Sequence, residues 1–289
     1  SGSAEDPLVD PSEAWLELVD AGGGRLVLAE GVYEDVHVVT EIPDMSLHGR
    51  CAELVELVGS PNASLVEAFF GSVEVRGVTL RSQLYAVNVS SPMAAATRVD
   101  LREGAIDGCV HGGLFVDGNG ATVDARDWAI RDCVDSGGNS SAGVLLLNGR
   151  VELERVQIEN NQQFGIVATG SGSHLELTDT EISDTGPGLD STTPGMGLVL
   201  QGGSTATLER VTLLRNGGVG LFASGEVEVV ATDLRVEDTQ PSPDDGNGVV
   251  AQLGASVTID GLVARRNTQF ALFAIGAGTS VSLSDVLME

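Results

Sequence analysis

The chain has 289 residues, 42% of them hydrophobic and only 4% aromatic, and a formal net charge of −27. All 15 cationic residues are Arg. Such a surface lacks the basic footprint that nucleic acid or an anionic membrane needs, and no apolar run is long enough to span a bilayer. It suits solubility at high salt or outside a cell, and it leaves room for a divalent cation or a basic partner.

Residues 1–9 carry no signal-peptide pattern and are expected to be disordered, Ser1-Gly2-Ser3 reading as a leftover linker. Asp10-Pro11-Ser12-Glu13 is a helix start, with Asp10 as N-cap, Pro11 at the first helical position and Glu13 in the capping-box place. Trp15, Leu16 and Val19 supply an apolar face, and Gly22-Gly23-Gly24 ends the helix. A capping helix over residues 10–21 is therefore expected, lying across the open edge of the first strands.

Residues 25–59 alternate apolar and polar between Gly, Pro and Asp punctuation, as several short strands would. From residue 86 a unit recurs in which a small residue precedes a short apolar strand. The clearest copies begin at Gly113, Gly143, Gly165, Gly197, Gly220, Gly248 and Ala271, with a more polar one at Ala86. Self-similarity at a period of tens of residues marks a solenoid. Within each copy alternate residues face opposite ways. Val144, Ile166, Leu198, Leu221, Val249 and Leu272 are expected inside, stacked at about the interstrand spacing of 4.8 Å. Asp132, Asn161, Asn216 and Asn267 align at a polar corner and are expected to cap backbone groups there.

Gly24 to Asp35, with its Gly31-Val32-Tyr33-Glu34 opening, followed by strand, turn and Leu47-His48-Gly49, resembles the first coils of right-handed parallel β-helix proteins. That superfamily includes pectate lyases, polygalacturonases and pectin methylesterases, and the resemblance extends over most of residues 22–289. It implies an all-β fold, a single solenoid domain over 22–289 of about nine or ten coils. It also implies polysaccharides as a natural ligand class. An activity is not conferred by a fold.

Long and short coils alternate. The long connections, 134–142, 185–196 and 239–247, all precede the small-residue strand, so they emerge on one side, where insertions on a solenoid often mark the binding face. They carry Asp135, Asp190, Asp244 and Asp245, with Asp184 and Asp238 at their bases. Clustered oxygen ligands suit Ca²⁺, making Asp190, Asp244 and Asp245 metal candidates, although no loop has a metal-loop spacing and no cofactor is required. Asp184, Asp190, Asp238, Asp244 and Asp245 are the catalytic candidates, since glycoside hydrolysis needs two carboxylates flanking one bond. A lyase of the resembled family needs a basic residue beside Ca²⁺-binding acids, and no Arg lies in the long loops.

The outward ladder of the repeated strand is apolar as well: Phe115, Leu145, Val167, Val199, Phe222, Val250 and Phe273. A solvent-facing strand normally alternates to polar. Either the long loops cover this ladder, or it is a docking surface for a partner, a second copy or an apolar ligand. Cys109 and Cys133 occupy equivalent places in successive coils, within disulfide reach. A bridge, two buried thiols, or a metal set with His111 and Asp135 all fit that placement. Trp128 is expected to face outward, covering Gly104 of the preceding coil. The sequence thus points to an extracellular or cell-surface interaction module binding glycan or protein through the long-loop face. The alternative is a polysaccharide lyase or hydrolase using the same acids.

Overall fold

A computed structural model describes residues 10–91, 96–134, 141–189, 194–241 and 246–289. It is a parallel β-solenoid of about ten coils with one helix, Pro11–Asp20. The helix starts as its sequence dictates: Ser12 N–H donates to Asp10 Oδ1 at 2.8 Å. Trp15 is buried, its indole N–H donating to Val39 O at 2.8 Å, so the helix is pinned across the first coils. No helix among the described residues is long and apolar enough to cross a membrane.

Each coil contributes one strand to a ten-stranded parallel sheet and one or two to a seventeen-stranded sheet. The larger sheet turns a corner at a single residue per coil. Glu103, Asp127, Arg155, Asp179, Arg210, Asp233 and Asp285 stand in register there with left-handed backbone, Gly77 and Gly261 completing the column. A second left-handed column comes after it, of Gly108, Asp132, Asn160, Asp184, Arg215, Asp238 and Arg266. An L-residue in this conformation is disfavoured by about 1–2 kcal/mol, and only Asp and Asn soften that by local hydrogen bonding. At the Arg positions a partner compensates. Arg155 clasps Asp127, Arg210 clasps Asp179, Arg215 clasps Asp184 and Arg266 clasps Asp238, each reaching the preceding coil.

The recurring glycine has a packing cause. A Cβ on Gly165 would lie 2.5 Å from Gly197 O and 2.4 Å from Ile182 Cγ2. Gly113, Gly143 and Gly220 meet the next coil's small-residue carbonyl and a core side chain in the same way. At these four positions a side chain would have to displace the next coil's backbone, whereas the earlier coil takes Ala86 in the same column. Behind the glycines, Val144, Ile166, Leu198, Leu221 and Val249 are fully buried in one continuous core. In the last coil Leu272 is half-buried.

Asn161, Asn216 and Asn267 cap the corner across coils. Each side-chain oxygen accepts a backbone N–H, from Cys133, Thr185 and Thr239. Each amide donates to a carbonyl, of Ile130, Ile182 and Val236. Asp132 is not part of this ladder. It stands in register with Asn160, one place earlier, because Arg131 pairs with Glu159. Trp128 also departs from expectation. It points into the solenoid, in the inward column of Val78, Val156, Val211, Leu234 and Leu262, and is buried. The single left-handed residue before it, Asp127, resets the alternation, so parity counted along the strand misplaces it. Its ring does fill the space over Gly104, where a Cβ would lie 2.3 Å from the indole.

Candidate functional site

The outward ladder is neither bare nor covered throughout. Val199 and Val250 are buried, Phe115, Leu145, Val167 and Phe222 are half-buried, and Phe273 is 37% exposed. Near its C-terminal end the ladder opens into a groove of about 230 Å³. Phe222, Val250 and Phe273 form its floor, Met196 and Val219 one wall, and Phe270, Gln252 and Gln269 the rim. Phe270 stacks on Phe273 with ring centroids 5.7 Å apart. A second aromatic pair, Tyr85 on Phe115 at 4.8 Å, marks the other end of the ladder. Asn247 also lines the groove. It is buried, and its Oδ1 accepts no hydrogen bond among the described residues.

Met196, Val219, Asn247 and Phe270 are absent from the ladder read in sequence. Each immediately precedes the small residue of a repeat copy. Strict alternation sends that position inward with Leu198 and Leu221. The register between coils is kept across the glycine, but the alternation is not: a Cβ on Gly220 would meet the core side chain of Val236, on the same side as the buried Leu221, so the residue before the glycine joins the outer wall. The available signal was a recurrent large residue before glycine (Phe164, Met196, Val219).

Of the acidic candidates, Asp184 receives Arg215 Nε at 2.7 Å and Nη2 at 2.5 Å. Asp238 receives Arg266 at 2.7 and 2.8 Å, and this guanidinium holds its carboxyl below the usual range. Both carboxylates serve as clamps between coils. Asp135, Asp190, Asp244 and Asp245 lie outside the described residues. Cys109 and Cys133, paired in register with Cα atoms 4.4 Å apart, are joined by a disulfide. Sulfurs bonded to each other are not thiolate ligands, so these two cannot form a metal set with His111 and Asp135. His111 lies beside the Tyr85 ring. Among the described residues, no three His, Cys, Asp or Glu side chains gather to hold a metal ion.

A larger cavity, about 690 Å³, lies along the corner of the last coils between Arg210, Asp233, Arg235 and Asp285. Size alone does not make it the better site. Its arginines are engaged, Arg210 with Asp179 and Arg235 with Glu237.

The family model described as "Right handed beta helix region" matches residues 112–286. The chain belongs to the right-handed β-helix family. A search of curated proteins returns no match. Among solved structures, the A-module of the mannuronan C-5 epimerase AlgE4 from Azotobacter vinelandii is similar at 16% identity and a TM-score of 0.53, over 99% of this chain and 93% of that one. The catalytic domain of Agl-KA is similar at 12% identity and a TM-score of 0.50, over 95% of this chain. This β-helix spans 64% of that catalytic domain. At these identities the likeness is one of fold.

Proposed function

We propose that this β-helix is a glycan-binding module that takes its ligand on the outer face of the ten-stranded sheet. The observation that carries the reading is the groove at Phe222 and Phe273. Small ligands are held where an apolar floor meets a few placed polar groups, and a pyranose ring offers a C–H face to an aromatic floor and hydroxyls to a rim of amides. The solved β-helix structures to which the fold is similar include an epimerase of mannuronan, which supports a polysaccharide as the ligand class. We place the module in an oxidising, extracellular setting, a reading supported by the Cys109–Cys133 bridge. Among the described residues, the side chains lining the groove are apolar or amide and include no acid or base, which supports binding over general acid–base chemistry there.

Binding to immobilised polysaccharides tests this, with the wild type beside Phe222→Ala and Phe273→Ala. Retention of at least one polysaccharide that both variants weaken is expected. Retention unaffected by either change would remove the groove from the function.

A further inference from the structure

The charges of the molecule are segregated by face. The ten strands of the smaller sheet carry two charged residues, Glu67 and Asp117, and no base. All 15 Arg lie on strands of the larger sheet or in the turns beside them. All of these except Arg25 are already paired with carboxylates. A carboxylated sugar on the groove face would therefore meet no cation, inside the field of a chain with a net charge of −27. Desolvating that carboxylate against Phe and Val without a partner is unfavourable.

Asn247 adds a positive requirement. Asn247 lines the groove, and its buried Oδ1 accepts no hydrogen bond among the described residues, whereas buried acceptors are normally satisfied. A sugar hydroxyl donates to it, whereas a carboxylate at the same place is an acceptor facing an acceptor.

Building on the glycan reading above, we propose that the ligand of this face is an uncharged polysaccharide. A pyranose ring rests on Phe222 and Phe273 and donates a hydroxyl to Asn247 Oδ1. No metal ion is needed to bridge ligand and protein, and recognition is set by ring faces and hydroxyls rather than by charge.

The test compares matched polymers by isothermal titration at low salt, where charge effects are least screened. Neutral glucans and mannans are measured beside the same polymers oxidised at C6 to uronates. The expected result is that a neutral polymer binds and its carboxylated counterpart binds at least about tenfold more weakly. Asn247→Ala is expected to lose about tenfold for the neutral polymer with an unchanged circular dichroism spectrum. Phe273→Ala, at an exposed site, serves as a second variant that keeps the fold. Equal or tighter binding of the uronate would overturn the assignment of an uncharged ligand and leave the glycan reading standing. No binding by any polymer of either class would overturn both. A dimer in sedimentation velocity that Phe273→Ala dissolves would show that a second copy occupies the face, and would also overturn the proposal.

Discussion

Asp184 and Arg215 occupy the same corner in adjacent coils, both with left-handed backbone at φ 55° and 51°, and the guanidinium holds both carboxylate oxygens. The pair explains how Arg occupies a conformation that L-residues avoid. Truncating Arg215 to Ala removes a half-exposed ion pair, a loss of about 0.2–1 kcal/mol, and leaves the backbone strain in place. Arg215→Gly removes the same pair but relieves the strain. The glycine variant is therefore expected to be more stable than the alanine variant by about 1 kcal/mol. Urea unfolding of the two checks this, and the reverse order would show that the corner is not strained.

Acid should weaken the same clamps. Hydrogen bonds from Arg155 lower the Asp127 carboxyl, and those from Arg266 lower Asp238. At Asp124 burial pushes upward, but Arg102 and Arg126 outweigh it and the carboxyl is also lowered. A carboxyl lowered by folding takes up protons more readily when unfolded, so its contribution is present above the ordinary carboxylate range and disappears below it. This contribution is expected to be constant near neutrality, to start falling as pH drops through about 4, and to keep falling towards the lowered folded values. Asp127→Asn and Asp238→Asn should flatten that slope in melting experiments across pH. A slope identical to wild type in both would separate the clamps from acid sensitivity.

The Cys109–Cys133 bridge spans 24 residues and both side chains are buried. Closing a loop of that size stabilises by about 3 kcal/mol in the chain-entropy account. A Cys109→Ser, Cys133→Ser double variant is expected to lose about 2–4 kcal/mol. Mild reductant should leave the native protein intact, because neither sulfur is accessible without unfolding. Rapid thiol labelling of the folded protein under reductant would contradict this.

The glycine ladder offers a paired test. Gly165→Ala drives a methyl into the Gly197 carbonyl and Ile182, neither of which can rotate away, and should cost about 1–3 kcal/mol. Gly186 has open space around it, so Gly186→Ala should change stability by no more than about 0.5 kcal/mol. Equal effects at both sites, measured by thermal melting, would mean that the recurrence of glycine has no packing cause.

Much of this molecule is local, and the local part was legible. The helix start at Asp10-Pro11, the repeated glycine strand and the inward Val144, Ile166, Leu198 column derive from capping, periodicity and burial, which depend on near neighbours in the chain. Three features broke that reading for one shared reason. A left-handed Asp127 turned Trp128 inward, the same kind of corner displaced Asp132 from the Asn ladder, and a reset of the alternation at the glycine put Met196 and Asn247 on the outer wall. Side-chain parity persists only through regular strand, and one left-handed residue or one kinked glycine inverts it. The partners of Asp184 and Asp238 are also non-local, since Arg215 and Arg266 lie one full coil away. Local pattern was enough to establish that this chain coils, what fills its interior and that one outer ladder is apolar. It took the stacked coils to reveal which acids are clamps, which residues wall the groove and that every Arg stays off its face. Those depend on the register between coils, which is set by corner geometry summed over the whole solenoid.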